Sequence, residues 1–347
     1  MPSTSISIEQ IPQTIRIIKK PLNVRLSRWF EKSKFSSVCP RILYSRLRHW
    51  ALGSSLIDSE GRFVYRRLGK ELEIKFNGRN AQFHALYEEC YTYGYELETA
   101  ALLLRLAPKA NTFYDIGSNW GYFSLLVAAQ PSFSGQIYAF EPNPHTFVDL
   151  KSTITQAGLD DCVTILNYGL GSEDGDLSLV EADEFNTGLA RLTTSGAGQR
   201  VQVHKIDSLN LQPPDLIKLD AEFMEKDILL GGKNMLHEHR PHIIFESFLA
   251  FENPSQTYGT LKLLEDWGYR LFNPALLFQF DQMSVLASYD DPVSSLIKRD
   301  PNPQTALVDI TTDNRFLMRE QLNVFACHET RLNELAEAGC IRLPFER

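Results

Sequence analysis

The sequence predicts an α/β fold: a Rossmann-like sheet of seven strands with helices on both faces, a basic and mostly helical N-terminal extension, and an inserted hairpin. Three observations predict it. From residue 113 onward, short apolar runs alternate with helical segments, the pattern of a parallel sheet covered on both sides. The run Asp115-Ile116-Gly117-Ser118-Asn119-Trp120-Gly121 joins an apolar strand to a helix, and Glu141 ends the next strand. Charge also divides the chain. Residues 1–70 hold 14 Lys and Arg against 4 Asp and Glu, although the whole chain carries −8. The division suggests an extension over residues 1–80 and a main domain over 81–347.

In the extension, Ile15, Ile17 and Ile18 lie among Arg16, Lys19 and Lys20. Trp29, Phe30, Phe35, Tyr44, Leu47 and Trp50 are then interleaved with basic residues such as Arg25, Arg28, Lys34, Arg41 and Arg46. This reads as an amphipathic helical appendage. The preferred reading is that it packs on the acidic domain and neutralises it. The alternatives are peripheral contact with a membrane surface, a phosphorylated substrate or nucleic acid.

In the main domain, Thr112 to Asp115 is the first strand and Tyr122 to Gln130 its helix, stopped by Pro131. Gln136 to Phe140 is the second strand, Pro144 to Gln156 the next helix, and Val163 to Leu166 the third strand. Leu177 to Val180 and Arg200 to Ile206 flank a stretch rich in Gly, Ser and Thr, which suggests an inserted antiparallel hairpin. Pro213-Pro214 introduces the fourth strand, Asp215 to Asp220, and Met224 to Leu236 is its helix. His242 to Glu246 is the fifth strand. A helix over Leu261 to Trp267, capped by Gly268, leads into Tyr269 to Phe272. Asn323 to Cys327 closes the sheet as a late antiparallel strand.

Composition excludes several classes. An apolar fraction of 43% and a charged fraction of 22% fit neither disorder nor a membrane bundle. No apolar run approaches a membrane span. No secretory pattern is seen at the N-terminus, and five scattered cysteines, Cys39, Cys90, Cys162, Cys327 and Cys340, lack the spacing of a disulfide framework or zinc ribbon. The expected location is cytoplasmic.

The loop after the first strand selects a cofactor. A dinucleotide fingerprint needs Gly-x-Gly-x-x-Gly so that a pyrophosphate can sit on the helix N-terminus. Here Asn119 replaces the second glycine, and Asp115 precedes the first. A carboxylate there repels phosphate and suits the ammonium of a methionine moiety, while Glu141 can accept hydrogen bonds from ribose hydroxyls. The loop therefore points to S-adenosylmethionine. A plain strand-to-helix turn would account for the glycines but not for the paired acids.

These residues, followed by Ala139-Phe140-Glu141-Pro142-Asn143-Pro144 and by Asp215-Leu216-Ile217-Lys218-Leu219-Asp220-Ala221-Glu222, resemble the FkbM family of S-adenosylmethionine-dependent methyltransferases from about residue 90 to 275. The resemblance implies the class I methyltransferase sheet and transfer of a methyl group to a hydroxyl of a sugar, glycan or natural product. It also implies that Asp115, Gly117, Ser118, Asn119 and Gly121 cradle the methionine side of the cofactor, that Glu141 holds the ribose, and that Pro142 and Asn143 shape the turn beside it. One departure is plain. The family's Asp-Val-Glu-Gly is Asp220-Ala221-Glu222-Phe223 here, and a Phe is expected to forbid the easy positive φ of glycine and to reshape the acceptor pocket.

Ligands of open parallel sheets sit beyond the carboxyl ends of the strands, so Asp220, Glu222 and Glu246 are the candidate general bases. Two of them could instead hold a divalent cation through oxygen ligands, though no metal is expected. Lys218 shares a face with Asp220 in a covered strand and should pair with a carboxylate, keeping a neighbouring acid ionised. His145, near Glu141, is a fallback base. His237, His239 and His242 have a spacing that a metal could use, but they lie at the opposite edge of the sheet. Two other functions compete: an RNA-directed methyltransferase using the basic segment, and a non-catalytic interaction module. The expected acceptor is a small molecule or glycan, and nucleic acid is not expected as a partner.

Overall fold

The computed structural model describes residues 8, 10–32, 46–47, 50–52, 54–180, 191–193, 198–251, 253–281, 283–288 and 291–345. The expectations for Phe35, Tyr44, Lys34 and Arg41 lie outside these residues.

The strands, in chain order, are β1 (Ile15–Lys19), β2 (Glu60–Arg67), β3 (Lys70–Asn77), β4 (Thr112–Ile116), β5 (Gln136–Phe140), β6 (Val163–Leu166), β7 (Gly169–Leu170), β8 (Gly175–Val180), β9 (Arg191–Thr193), β10 (Gln199–His204), β11 (Leu216–Leu219), β12 (His242–Phe248), β13 (Tyr269–Phe280), β14 (Met283–Ala287), β15 (Gln304–Ile310), β16 (Gln321–His328) and β17 (Ile341–Leu343). The large sheet runs β6-β5-β4-β11-β12-β16-β13-β15-β17, with β14 paired to β13. From β6 to β12 every pairing is parallel. Strand β16 is antiparallel to both β12 and β13. The seven expected strands therefore occupy β6 through β13, and the late antiparallel strand lies where the sequence placed it. All residues of β4 and β11 are buried, which explains their nearly continuous apolar runs.

Three expectations need correction. The sheet is wider than seven strands, because β13 continues to Phe280 and recruits β14, β15 and β17. Pro274 reads as a break because it has no N–H to give a ladder. It is tolerated because it falls between two partners on one edge: β16 pairs with Tyr269–Phe272 and β14 with Leu276–Phe280. The single helix expected from Met224 to Leu236 is two, Glu225–Gly231 and Lys233–His239. Gly231 packs so closely that a Cβ there would come within 1.9 Å of the Gly171 carbonyl oxygen, and the chain turns at Gly232.

The third correction concerns the extension. Its described part is built around an antiparallel sheet, β1-β2-β3, with helices at Gln10–Thr14 and Leu22–Lys32. In β2 the inward positions are Gly61, Phe63 and Tyr65 and the outward ones include Arg62 and Arg66, the period of two of a strand where a mostly helical extension was expected. This sheet packs on the main domain. Phe63 meets Trp120 edge-on at 5.9 Å, Phe76 stacks on Phe83, and Phe83 stacks on Trp120. Tyr65 Oη donates to the Leu125 carbonyl at 3.1 Å and Arg67 Nε to that of Ala128 at 2.9 Å. The inserted segment forms its own small sheet, β7-β10-β8-β9, in which β8 and β10 are the expected antiparallel pair. No helix among the described residues is long and apolar enough to cross a membrane.

Candidate functional site

A cavity of about 380 Å³ opens beyond the carboxyl ends of β4, β5, β11 and β12. One half is built by the loop after β4. The N–H groups of Gly117 and Ser118 both donate to the Phe140 carbonyl at 3.0 Å, and Ser118 Oγ donates to it at 3.2 Å, so the loop is drawn onto the end of β5. Gly117 has φ +75°, and a Cβ there would lie 1.7 Å from the Asp220 carbonyl oxygen. Only glycine allows the exits of β4 and β11 to approach this closely. Asn119 also lies in the left-handed region, φ +49°, and its side-chain oxygen is buried without a hydrogen-bond partner. Gly121 begins the helix Tyr122–Ala128.

Two acids flank this loop. Asp115 is 1% exposed, and its Oδ2 accepts from both the N–H and the hydroxyl of Ser124, at 3.0 and 2.6 Å. Burial pushes its carboxyl up to about 6. Glu141 ends β5 and accepts one backbone N–H on each oxygen, from Asn119 at 3.0 Å and from Asn143 at 2.9 Å. Burial lifts it to about 7. Pro142 lines the cavity. Asn143 does not; it orients Glu141 and caps the next helix by accepting the His145 N–H at 3.0 Å.

The other half is an acid cluster around one lysine. Lys218, on β11, is 1% exposed. Its ammonium donates to Asp220 at 3.2 Å, lies 3.6 Å from Glu96 and stands over the Phe123 ring at 5.2 Å. Burial alone would lower its pKa, but Asp220, Glu96 and Glu246 reverse this and hold the ammonium above its usual range. The pairing expected of Lys218 is thus present. Glu246, on β12, accepts from Gln321, and burial, followed by the nearby Asp220 and Glu96, pushes it up to about 9. Glu222 is raised to about 7, by burial first and by Asp220 second.

Phe223 corrects the expectation drawn from its residue type. Its backbone takes φ +73°, preceded by Glu222 at +36°, so the loop keeps the glycine-like conformation although the residue is Phe. The ring lies against Phe248 at 5.4 Å, and the Arg191 guanidinium covers it at 4.3 Å.

Several residues in the cavity lining or just behind it escaped the sequence reading. Glu96 ends the segment before the helix Leu97–Leu106, also in the left-handed region, and accepts from Asn323 at 2.9 Å; nothing local marks it as Lys218's partner. Gln321 is likewise invisible. Tyr91 and Tyr95 line the cavity from outside the resemblance's core motifs, and their local tyrosine density was a usable signal. Tyr122 and Phe123, which the sequence leaves with the core, line it too. His145 is not among the lining residues. Of the histidine cluster, His237 packs on Trp267, and His242 bonds Glu334 at 3.2 Å and is pushed down to about 4 by burial. Among the described residues no group of three His, Cys, Asp or Glu side chains is arranged to hold a metal ion.

Comparison with known proteins adds four findings. The methyltransferase FkbM domain profile matches residues 111–271. The hexuronic acid methyltransferase AglP of Haloferax volcanii is 29% identical over 144 residues, 41% of this chain and 58% of AglP, so the chain spans less than two thirds of that relative. Among solved structures, the FkbM methyltransferase of Methylobacillus flagellatus is 18% identical with a TM-score of 0.34, covering 49% of this chain and 40% of that one. The O-methyltransferase from Bacillus cereus in complex with SAH is 13% identical with a TM-score of 0.36, covering 67% and 80%.

Proposed function

Residues 111–271 match the methyltransferase FkbM domain; from that premise we propose that the chain is an S-adenosylmethionine-dependent methyltransferase that transfers the methyl group to a hydroxyl oxygen of a sugar or glycan. The observation that supports this reading is the single cavity joining the Asp115–Glu141 loop to the cluster of Lys218, Asp220, Glu222 and Glu246.

The residues present fit the cofactor. Asn119 offers a buried, unpaired oxygen to a donor, and Asp115 and Glu141 are the acceptors that an ammonium and a ribose diol require. Leu170, Leu192 and Tyr168 supply an apolar wall that suits a flat base. When bound, S-adenosylmethionine supplies an already activated methyl group, and the remaining task is positioning, which can contribute about 7 to 11 kcal/mol.

The acid cluster does the rest. An alcohol must give up its proton as it attacks, and an acceptor of that proton works best when its pKa lies near the working pH. Glu222, raised to about 7, meets that condition. Glu246, raised to about 9, keeps its proton at neutral pH and can donate a hydrogen bond to a second hydroxyl. Lys218 holds Asp220 in place between them.

The test is transfer of labelled methyl from S-adenosylmethionine to fractions of a cell extract, with Glu141→Ala as control. A carboxylate's hydrogen bond to a hydroxyl contributes about 1.5 to 3 kcal/mol. The variant should therefore bind the cofactor at least tenfold more weakly by calorimetry and lose the label from the carbohydrate fraction. Label arriving in RNA would overturn the acceptor class.

A further inference from the structure

The acceptor end of the cavity has little use for a negative charge. Asp220, Glu222 and Glu246 line it, and Glu96 stands directly behind Lys218. Lys218 is the one Lys or Arg among the described residues of the lining, and its ammonium is already engaged by Asp220 and Glu96. Arg191 is a further cation of this region, but its guanidinium lies over the Phe223 ring and interacts with Glu222 as well. Leu179 and Leu192, from β8 and β9, also reach the cavity.

An anionic group entering this space would be buried beside carboxyl groups with no unengaged Lys or Arg among the described residues of the lining to receive it, and specificity of this kind is built by such repulsion as much as by attraction. A polyol meets the opposite situation. Carboxyl groups that keep a proton can donate to its hydroxyls, ionised ones can accept from them, and Gln321 can do either. Tyr91 and Tyr95 stand at the same cavity as apolar ring faces and edges for the C–H side of a pyranose.

We propose that the methylated residue is a neutral sugar and that the site rejects uronates and other acidic sugars. This rests on the carbohydrate reading above and differs from the acceptor that the name of the Haloferax volcanii relative describes. The protein is incubated with labelled S-adenosylmethionine and a whole-cell carbohydrate extract, the product is hydrolysed to monosaccharides, and these are separated by anion exchange. The neutral, unretained monosaccharides should carry at least tenfold more label than the retained acidic ones. Label concentrated in the retained uronates would overturn the proposal while leaving the carbohydrate reading intact. Label in no sugar fraction, from a protein that still binds the cofactor by calorimetry, would remove the carbohydrate reading and this inference with it.

Discussion

At Phe223 the chain pays a conformational cost that its side chain partly offsets. A residue with a Cβ loses about 1–2 kcal/mol in the left-handed region, and the ring regains some of this against Phe248 and Arg191. Replacing Phe223 by alanine removes the contacts and keeps the strain, whereas glycine removes both. Phe223→Gly should therefore be the more stable of the two by about 1 kcal/mol in denaturant melts; an alanine variant as stable as the glycine one would contradict the positive φ. Titration gives a second expectation at this scale. Asp115 at about 6 and Glu141 at about 7 must both be ionised to hold a cationic ligand well, so cofactor affinity measured by calorimetry should climb from pH 5 to 8. The free protein should do the reverse. A carboxyl whose folded pKa is raised binds more protons in the native state than in the unfolded one, so stability falls as pH rises from the unfolded value through the folded one. His242, held neutral by burial, opposes this only below its unfolded pKa of about 6.5, and from there to pH 8 the melting temperature of the free protein should drop. An affinity that does not change with pH would remove Asp115 and Glu141 from these roles.

Strand β11 carries the proposed reaction corner, and Lys218 is the residue on which its neighbours depend. Breaking a buried ion pair costs about 3–5 kcal/mol when the abandoned charge cannot adapt; here the acids can take up protons, since burial already raises Glu96 and Glu246. Lys218→Met should accordingly fold, lose at least tenfold in turnover, and move its pH–rate profile upward as the acids become harder to ionise. A variant with the native turnover and profile would show Lys218 to be packing alone. The parallel strands were legible because each is an apolar run buried on both faces, and Asp115, Glu141 and Asp220 were legible because an acid at the end of such a run is conspicuous. Glu96 and Gln321 were not, because their importance lies in what tertiary packing brings to them. The extension was misread for a local reason: in β1 Ile15 and Ile17 lie on one face and Arg16 and Ile18 on the other, and isoleucines set among basic residues resemble an amphipathic helix.

On the scale of the molecule, the extension and the main domain share one core. Phe63, Tyr65, Phe76, Phe83, Trp120 and Leu125 belong to the same buried cluster, and large aromatic truncations of a core cost about 3–5 kcal/mol each. A chain beginning at residue 81 should therefore melt well below the full protein or fail to remain soluble, as circular dichroism on purified material would reveal; an unchanged melting temperature would make the β1-β2-β3 sheet a separable module. The position of β16 has a different consequence. It lies between β12 and β13 yet follows both in the chain, so during synthesis β12 waits with an open edge. Glu246 and Glu96 receive Gln321 and Asn323 only when β16 has left the ribosome and inserted. A prematurely terminated product can thus contain the whole loop around Gly117 without the partners of Glu246 and Glu96, so the proposed methyl transfer has to wait until β16 is in place.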